Sequence, residues 1–122
     1  MQQLEGMDGI PFEDYIKGFL ETHYTSVKQT PPSHDFGVDL IAERPGEKVV
    51  FQVKRWKNVV RESAVQEIIS GMLFYEANRA IVITSSKFTS DAKKLADKIG
   101  VELWDGERFL EELKKWGYFH LP

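Results

Sequence analysis

Asp39, Gln52 and Lys54 are side chains suited to holding a metal ion against a phosphate. A carboxylate and an amide oxygen are hard ligands of the kind Mg²⁺ takes, with waters completing its octahedron. An ammonium beside them orients a water or offsets charge on a phosphoryl oxygen. The spacing brings the three together, because Asp35 to Lys54 reads as two strands around Pro45-Gly46, a dipeptide suited to the centre of a type II turn. Alternation places Val38, Leu40 and Ala42 on one face of the first strand and Asp39 with Ile41 on the other. On the second strand Val49, Phe51 and Val53 share a face, leaving Gln52 and Lys54 on the opposite one, about 7 Å apart. Glu13, off the apolar stripe of an opening helix, can add a second carboxylate directly or through water. Together these groups suit the hydrolysis of a phosphodiester.

The elements that must position them follow from periodicity. A helix is expected over about Pro11 to His23, with Pro11 in its first turn and Phe12, Tyr15, Ile16, Phe19 and Leu20 as its buried stripe. A short strand follows at Tyr24 to Gln29, then a loop through Pro31-Pro32-Ser33-His34 that cannot be helical. After the hairpin, Arg61 to Glu76 reads as a helix buried through Ala64, Val65, Ile68, Ile69, Met72 and Leu73. That stripe turns Glu62, Gln66 and Ser70 outward or toward a cleft, and makes Gln66 a possible visitor to the site. Ala80-Ile81-Val82-Ile83 is a continuous apolar run, as in a strand covered on both faces. Thr89 is placed to cap a helix through Lys98 with Gly100 just past its end, Val101 to Trp104 forms a strand, and Asp105 caps a last helix with Phe109, Leu110, Leu113 and Trp116 inward. The order αβββαβαβα implies an α/β fold with a central mixed sheet between helical layers.

At 122 residues the chain is expected to form one domain, residues 1–122, with its core at about 11–116. No stretch is apolar for long enough to span a membrane, and the N-terminus lacks the pattern of a secretory signal. Zero cysteines exclude disulfides and thiolate metal sites and fit a reducing compartment, so a cytoplasmic location is expected. The net charge of −3 speaks against indiscriminate nucleic-acid binding and leaves such contact to local patches.

The chain resembles the Mrr-type catalytic domain of the PD-(D/E)xK, or restriction-endonuclease-like, nuclease superfamily. The resemblance rests on Phe12-Glu13, Asp35-Phe36-Gly37-Val38-Asp39-Leu40-Ile41, Gln52-Val53-Lys54, Phe88-Thr89-Ser90-Asp91-Ala92 and Trp104-Asp105-Gly106, in order along nearly the whole chain. It implies the restriction-endonuclease-like three-layer fold. It further implies that Asp39, Gln52 and Glu13 hold Mg²⁺, with Mn²⁺ able to substitute, and that Lys54 is the catalytic lysine. Most of the superfamily has Glu where this chain has Gln52, although Gln is the usual residue in Mrr-like members; one negative charge is thereby lost from the metal site. Archaeal Holliday junction resolvases share the fold and often carry a serine before the metal-binding Asp, a part that Ser33 can take.

Taken singly, each residue has an ordinary reading: Asp39 beside a turn, Glu13 on a solvated helix, Gln52 and Lys54 on the wet face of an antiparallel strand. His34 reads as an exposed loop residue, and His23 and His120 have no zinc-ligand partners at useful spacing. Lys54, Arg55, Lys57 and Arg61 are concentrated just beyond the site and form the candidate DNA-contacting patch, with Lys28 and Lys87 as outlying members and Trp56 placed to pack on a sugar or base. The resemblance thus implies a metal-dependent DNA endonuclease. With no recognition module appended, the expected substrate is recognised by DNA shape, a four-way junction cut by a homodimer. Mrr-like restriction and a non-catalytic DNA-binding module are the alternatives.

Overall fold

The computed structural model describes residues 11–31, 36–55 and 57–118. Among these, the chain forms α1 (Phe12–Glu21), β1 (Ser26–Gln29), β2 (Leu40–Arg44), β3 (Glu47–Lys54), α2 (Glu62–Phe74), β4 (Arg79–Thr84), α3 (Ser90–Ile99), β5 (Glu102–Trp104) and α4 (Gly106–Lys115). The element order is the expected one. The strands lie side by side in sequence order, β1 to β3 antiparallel and β3 to β5 parallel, so the sheet is mixed. Pro45-Gly46 closes the β2–β3 hairpin with Arg44 paired to Glu47, and Gly46 takes the positive φ of 77° that the third position of a type II turn requires.

The strand period divides the core in two. Leu40, Ala42, Val49, Phe51 and Ile81 face α1 and α4, where Ile16, Phe19, Phe109 and Leu113 are fully covered. Val50, Ala80 and Val82 face α2 and α3, against Val65, Ile68, Ala92 and Ala96. Burial of β4 on both sides explains its unbroken apolar run. The last two helices are fixed at their starts as their sequences predict: Thr89 Oγ1 accepts from Ala92 N–H at 3.1 Å, and Asp105 Oδ1 accepts from Arg108 N–H at 2.8 Å. Gly100, at φ 82°, ends α3 in the left-handed conformation.

Four local expectations need correction. Pro11 stands at the N-cap of α1 and not within its first turn. That helix stops at Glu21, because Thr22 Oγ donates to Phe19 O at 2.7 Å and both His23 N–H and Tyr24 N–H turn back to Leu20 O; β1 accordingly starts only at Ser26. Val38 does not share the face of Leu40. It precedes β2, follows Gly37 at φ 67°, and packs in the α2–α3 layer. On α2 the buried stripe runs through Ala64, Val65, Ile68 and Gly71, leaving Leu73 71% exposed. Gly71 takes that place because a Cβ there would strike the Val38 side chain and stand 2.8 Å from Phe36 O.

The N-terminal ends of β3, β4 and β5 are tied by charge. Arg79 bonds to both oxygens of Glu102 and donates to Glu47 at 2.7 Å, and Arg44 donates to the other Glu47 oxygen. The Arg79 hydrogen bond holds the Glu47 carboxyl below the ordinary glutamate range, aided by Arg44 and opposed by partial burial. Burial disfavours the Arg79 charge, but the hydrogen bonds that it donates to Glu47 and Glu102 more than offset this and raise its pKa. A carboxylate whose pKa is depressed by folding stabilises the fold above its unfolded pKa, and that contribution disappears as pH falls through the folded value. Because these side chains are partly exposed, the network is worth about 1 kcal/mol. Arg79→Met should therefore lower the melting temperature by about 4 °C at pH 7, with the gap to wild type closing as pH falls through the lowered Glu47 pKa. Circular dichroism melts across pH test this, and a gap that persists in acid would contradict it.

Candidate active site

The parallel run of β3, β4 and β5 brings their C-terminal ends to the edge opposite the ionic network, with Lys54 level with Thr84 and Ile83 level with Trp104. Clefts beyond the carboxyl ends of parallel strands are where α/β sheets place ligands. Asp39, Gln52 and Lys54 meet at this edge.

Asp39 is held by its backbone and its side chain. Its N–H donates to Phe51 O at 2.7 Å and its carbonyl accepts from Thr30 N–H at 3.1 Å. The β2–β3 ladder ends at Leu40 and Phe51, so Val53 N–H, which points the same way as Phe51 O, has no strand partner; Asp39 Oδ2 takes it at 2.7 Å. The carboxylate is thereby fixed against the middle of Gln52-Val53-Lys54. Gln52 is 3% exposed, on the side of β3 that faces α2, and its Oε1 is buried with no hydrogen-bond partner. A buried amide oxygen left without a donor costs about 1–3 kcal/mol. Lys54 is half-buried at the end of the strand.

The wall beside Gln52 is made by α2. Gly37 sits between them, and the point a Cβ would occupy there is 2.6 Å from Gln52 Nε2, 2.9 Å from Glu67 Cβ and 3.2 Å from Glu67 Oε2. Only a glycine permits this approach and the positive φ together. The helix residue that reaches the site is thus Glu67 and not Gln66, which is exposed on the side of α2 away from its buried stripe. The signal was the true stripe through Gly71: with Leu73 outside it, the flank that meets the 36–39 segment carries Ser63, Glu67, Ser70 and Phe74. Phe74 stacks on Phe36 at 4.3 Å between ring centres, which confirms the direction of that flank.

Basic residues converge in front of the site. Lys54, Arg55, Lys57 and Arg61 line one cleft of about 1020 Å³ that Glu67 also borders. The connector bearing them is pinned, since Val60 N–H donates to Lys87 O at 2.8 Å and Thr89 N–H donates to Val60 O at 3.0 Å. Lys87 lines an adjoining cavity of about 610 Å³ with Lys57 and with Lys93, a lysine that the sequence did not single out. Lys28 is not brought to the patch: it lies on the edge strand β1, level with Ile41 and, across β2, with Val50. Glu13 lies across the sheet from Gln52, on α1, where its Oε2 accepts from Gln29 Nε2 at 2.7 Å. The residue after Gln29 pairs with Asp39, so Glu13 borders the Asp39 end of the site. Among the described residues no three His, Cys, Asp or Glu side chains converge as a metal cage. Ser33, His34 and Asp35 and Trp56 lie outside the described residues.

The five-stranded mixed sheet between helical layers is the fold of the restriction-endonuclease-like class. The sequence pattern of the Mrr-type restriction endonuclease catalytic domain, Mrr_cat, matches residues 4–113, and the chain belongs to that family. It is 34% identical over 92 residues to the type IV methyl-directed restriction enzyme EcoKMrr of Escherichia coli K12, covering 72% of this chain and 30% of that enzyme. The chain therefore spans under a third of that relative. Its fold is similar to the DNA modification-dependent restriction endonuclease AspBHI (TM-score 0.65, 16% identity, 94% of this chain, 33% of the other). It is also similar to a protein of unknown function, AF1548 (TM-score 0.64, 19% identity, 82% of this chain, 64% of the other). No described helix is long and apolar enough to cross a membrane.

Proposed function

We propose that the chain is the catalytic domain of an Mrr-like restriction endonuclease, a divalent-metal-dependent enzyme that hydrolyses DNA phosphodiesters at the C-terminal edge of β3. The observation that carries the reading is the buried, unpartnered Oε1 of Gln52 beside the anchored carboxylate of Asp39. Two hard oxygen donors at such an edge fit Mg²⁺ or Mn²⁺, and Glu13 can join from the Asp39 end. A divalent ion there supplies positive charge to the phosphoryl oxygens and makes a nearby water more acidic. Asp39 and Gln52 are the residues that would hold that ion. Lys54 projects from the same strand, where its ammonium stabilises the charge that builds on the phosphate or orients the attacking water. Hydrolysis then adds water across one P–O ester bond, leaving a phosphate monoester and a free hydroxyl.

The restriction reading takes precedence over a junction resolvase. The relative and the structural neighbour with described activities are restriction endonucleases that act on modified DNA, and the chain spans only 30% and 33% of them. The lack of a recognition module within these residues then says nothing about what they act with, which removes the main reason for preferring a branched substrate. Ser33 and a homodimer remain features of the resolvase reading, and a four-way junction belongs in the substrate panel.

DNA is held by the patch that lines the cleft. Each phosphate contact contributes roughly one unit to the slope of log affinity against log salt concentration. Arg55→Ala combined with Lys57→Ala should flatten that slope by about 2 and weaken binding to all sequences alike. Fluorescence anisotropy over a salt series measures it, and an unchanged slope would move the contact surface elsewhere.

A further inference from the structure

We infer that Glu67 is a carboxylate of the metal site, supplied from α2 to replace the acidic residue that β3 lacks at Gln52. The inference rests on the nuclease reading above. Its first ground is charge: with Gln52 neutral, the described strand residues offer a dication at the β3 edge one carboxylate, Asp39, and one ammonium, Lys54. Those two nearly cancel, and a hard dication is held chiefly by anionic oxygens. Glu13 approaches from the Asp39 end and is tied to Gln29 on the other face of the sheet, so a carboxylate on the Gln52 side has to come from α2.

The geometry supplies it. Gln52 Nε2 and Glu67 Oε2 stand 2.6 Å and 3.2 Å from one point beside Gly37, so the buried amide and this carboxylate are neighbours across a residue with no side chain. Glu67 also borders the cleft that Lys54 lines. It makes no hydrogen bond or ion pair among the described residues, while four cations line the same cleft. The orphaned Oε1 of the same Gln52 amide, whose Nε2 is the atom nearest Glu67, is an independent mark of a ligand at this side chain, because a buried oxygen without a donor is costly until something binds it. A helix carboxylate next to a strand amide thus provides the charge and the neutral oxygen that a strand glutamate would have provided alone.

The test reads metal binding, without DNA or turnover. Calorimetric titration of Mn²⁺ into the 122-residue protein is compared for wild type, Glu67→Gln, Asp39→Asn and Gln66→Ala, with circular dichroism melts as the check on folding. Glu67→Gln should weaken Mn²⁺ binding at least about 10-fold with an unchanged melt, and Gln66→Ala should bind as wild type does. Wild-type affinity in Glu67→Gln overturns the assignment. If Asp39→Asn alone then loses binding, the site stands without Glu67; if Asp39→Asn also binds normally, the metal-site reading itself fails with it.

Discussion

Lys54→Ala should slow DNA cleavage by about 10²–10³-fold, the usual loss when one charge aimed at a developing oxyanion is removed. Lys54 ends β3 level with Thr84, and its backbone carbonyl accepts from Ser85 N–H at 3.2 Å, so the strand end is held by main-chain bonds that the substitution leaves in place. The melt should accordingly move little. Lys54→Arg is not expected to restore activity, because a planar guanidinium cannot occupy the space of a compact ammonium. Single-turnover cleavage with excess enzyme separates this effect from DNA affinity, which neighbouring Arg55 and Lys57 sustain. Wild-type rates in Lys54→Ala would remove Lys54 from the chemistry.

Asp39→Asn should have a comparable or larger effect on cleavage, about 10³-fold or about 4 kcal/mol at the transition state, while leaving the fold intact. The two roles of this side chain separate by design. Oδ2 accepts the Val53 N–H that β2 leaves unpaired, and an asparagine carbonyl oxygen can accept it as well. What asparagine cannot supply is the negative charge. Asp39→Ala removes both and strands the Val53 N–H, which adds about 1–3 kcal/mol of destabilisation. Comparing the two variants by melting and by cleavage therefore tells structure from chemistry. An Asp39→Asn protein that melts like wild type and still cuts would contradict the assigned site.

Much of this was legible in the sequence because its signals are local. Pro45-Gly46 fixed the hairpin, Thr89 and Asp105 fixed two helix starts, and the run Ala80-Ile81-Val82-Ile83 announced the strand covered on both sides. The placement of Gln52 with Lys54 on the face opposite Phe51 followed from strand alternation alone; that this face is the one covered by α2 did not. What escaped depends on contacts between distant segments. Alternation assigned Val38 to the wrong face because it assumes a strand continuing through residues 38 and 39, whereas Gly37 at φ 67° redirects the chain before β2 begins. The same neighbourhood explains Glu67. Gly71 reads as a weak helix residue, yet it is the point of closest approach to Val38 and Phe36, and it rotates the buried side of α2 away from Leu73. The link from Arg79 to Glu47 and Glu102 joins three strands and has no local signature at all.

The most direct test of the central claim is cleavage of labelled DNA by wild type and Asp39→Asn, each with Mg²⁺ or with EDTA. The panel pairs methylated and unmethylated linear duplex with a four-way junction of matched sequence. The account predicts endonucleolytic cutting by wild type in Mg²⁺, abolished by EDTA and by Asp39→Asn, with linear duplex among the substrates cut. Symmetric nicking of the junction alone would return the specificity to a resolvase. Cutting that persists in EDTA or in Asp39→Asn, or DNA binding with no cutting under any condition, would contradict a metal-dependent nuclease site at this edge of the sheet.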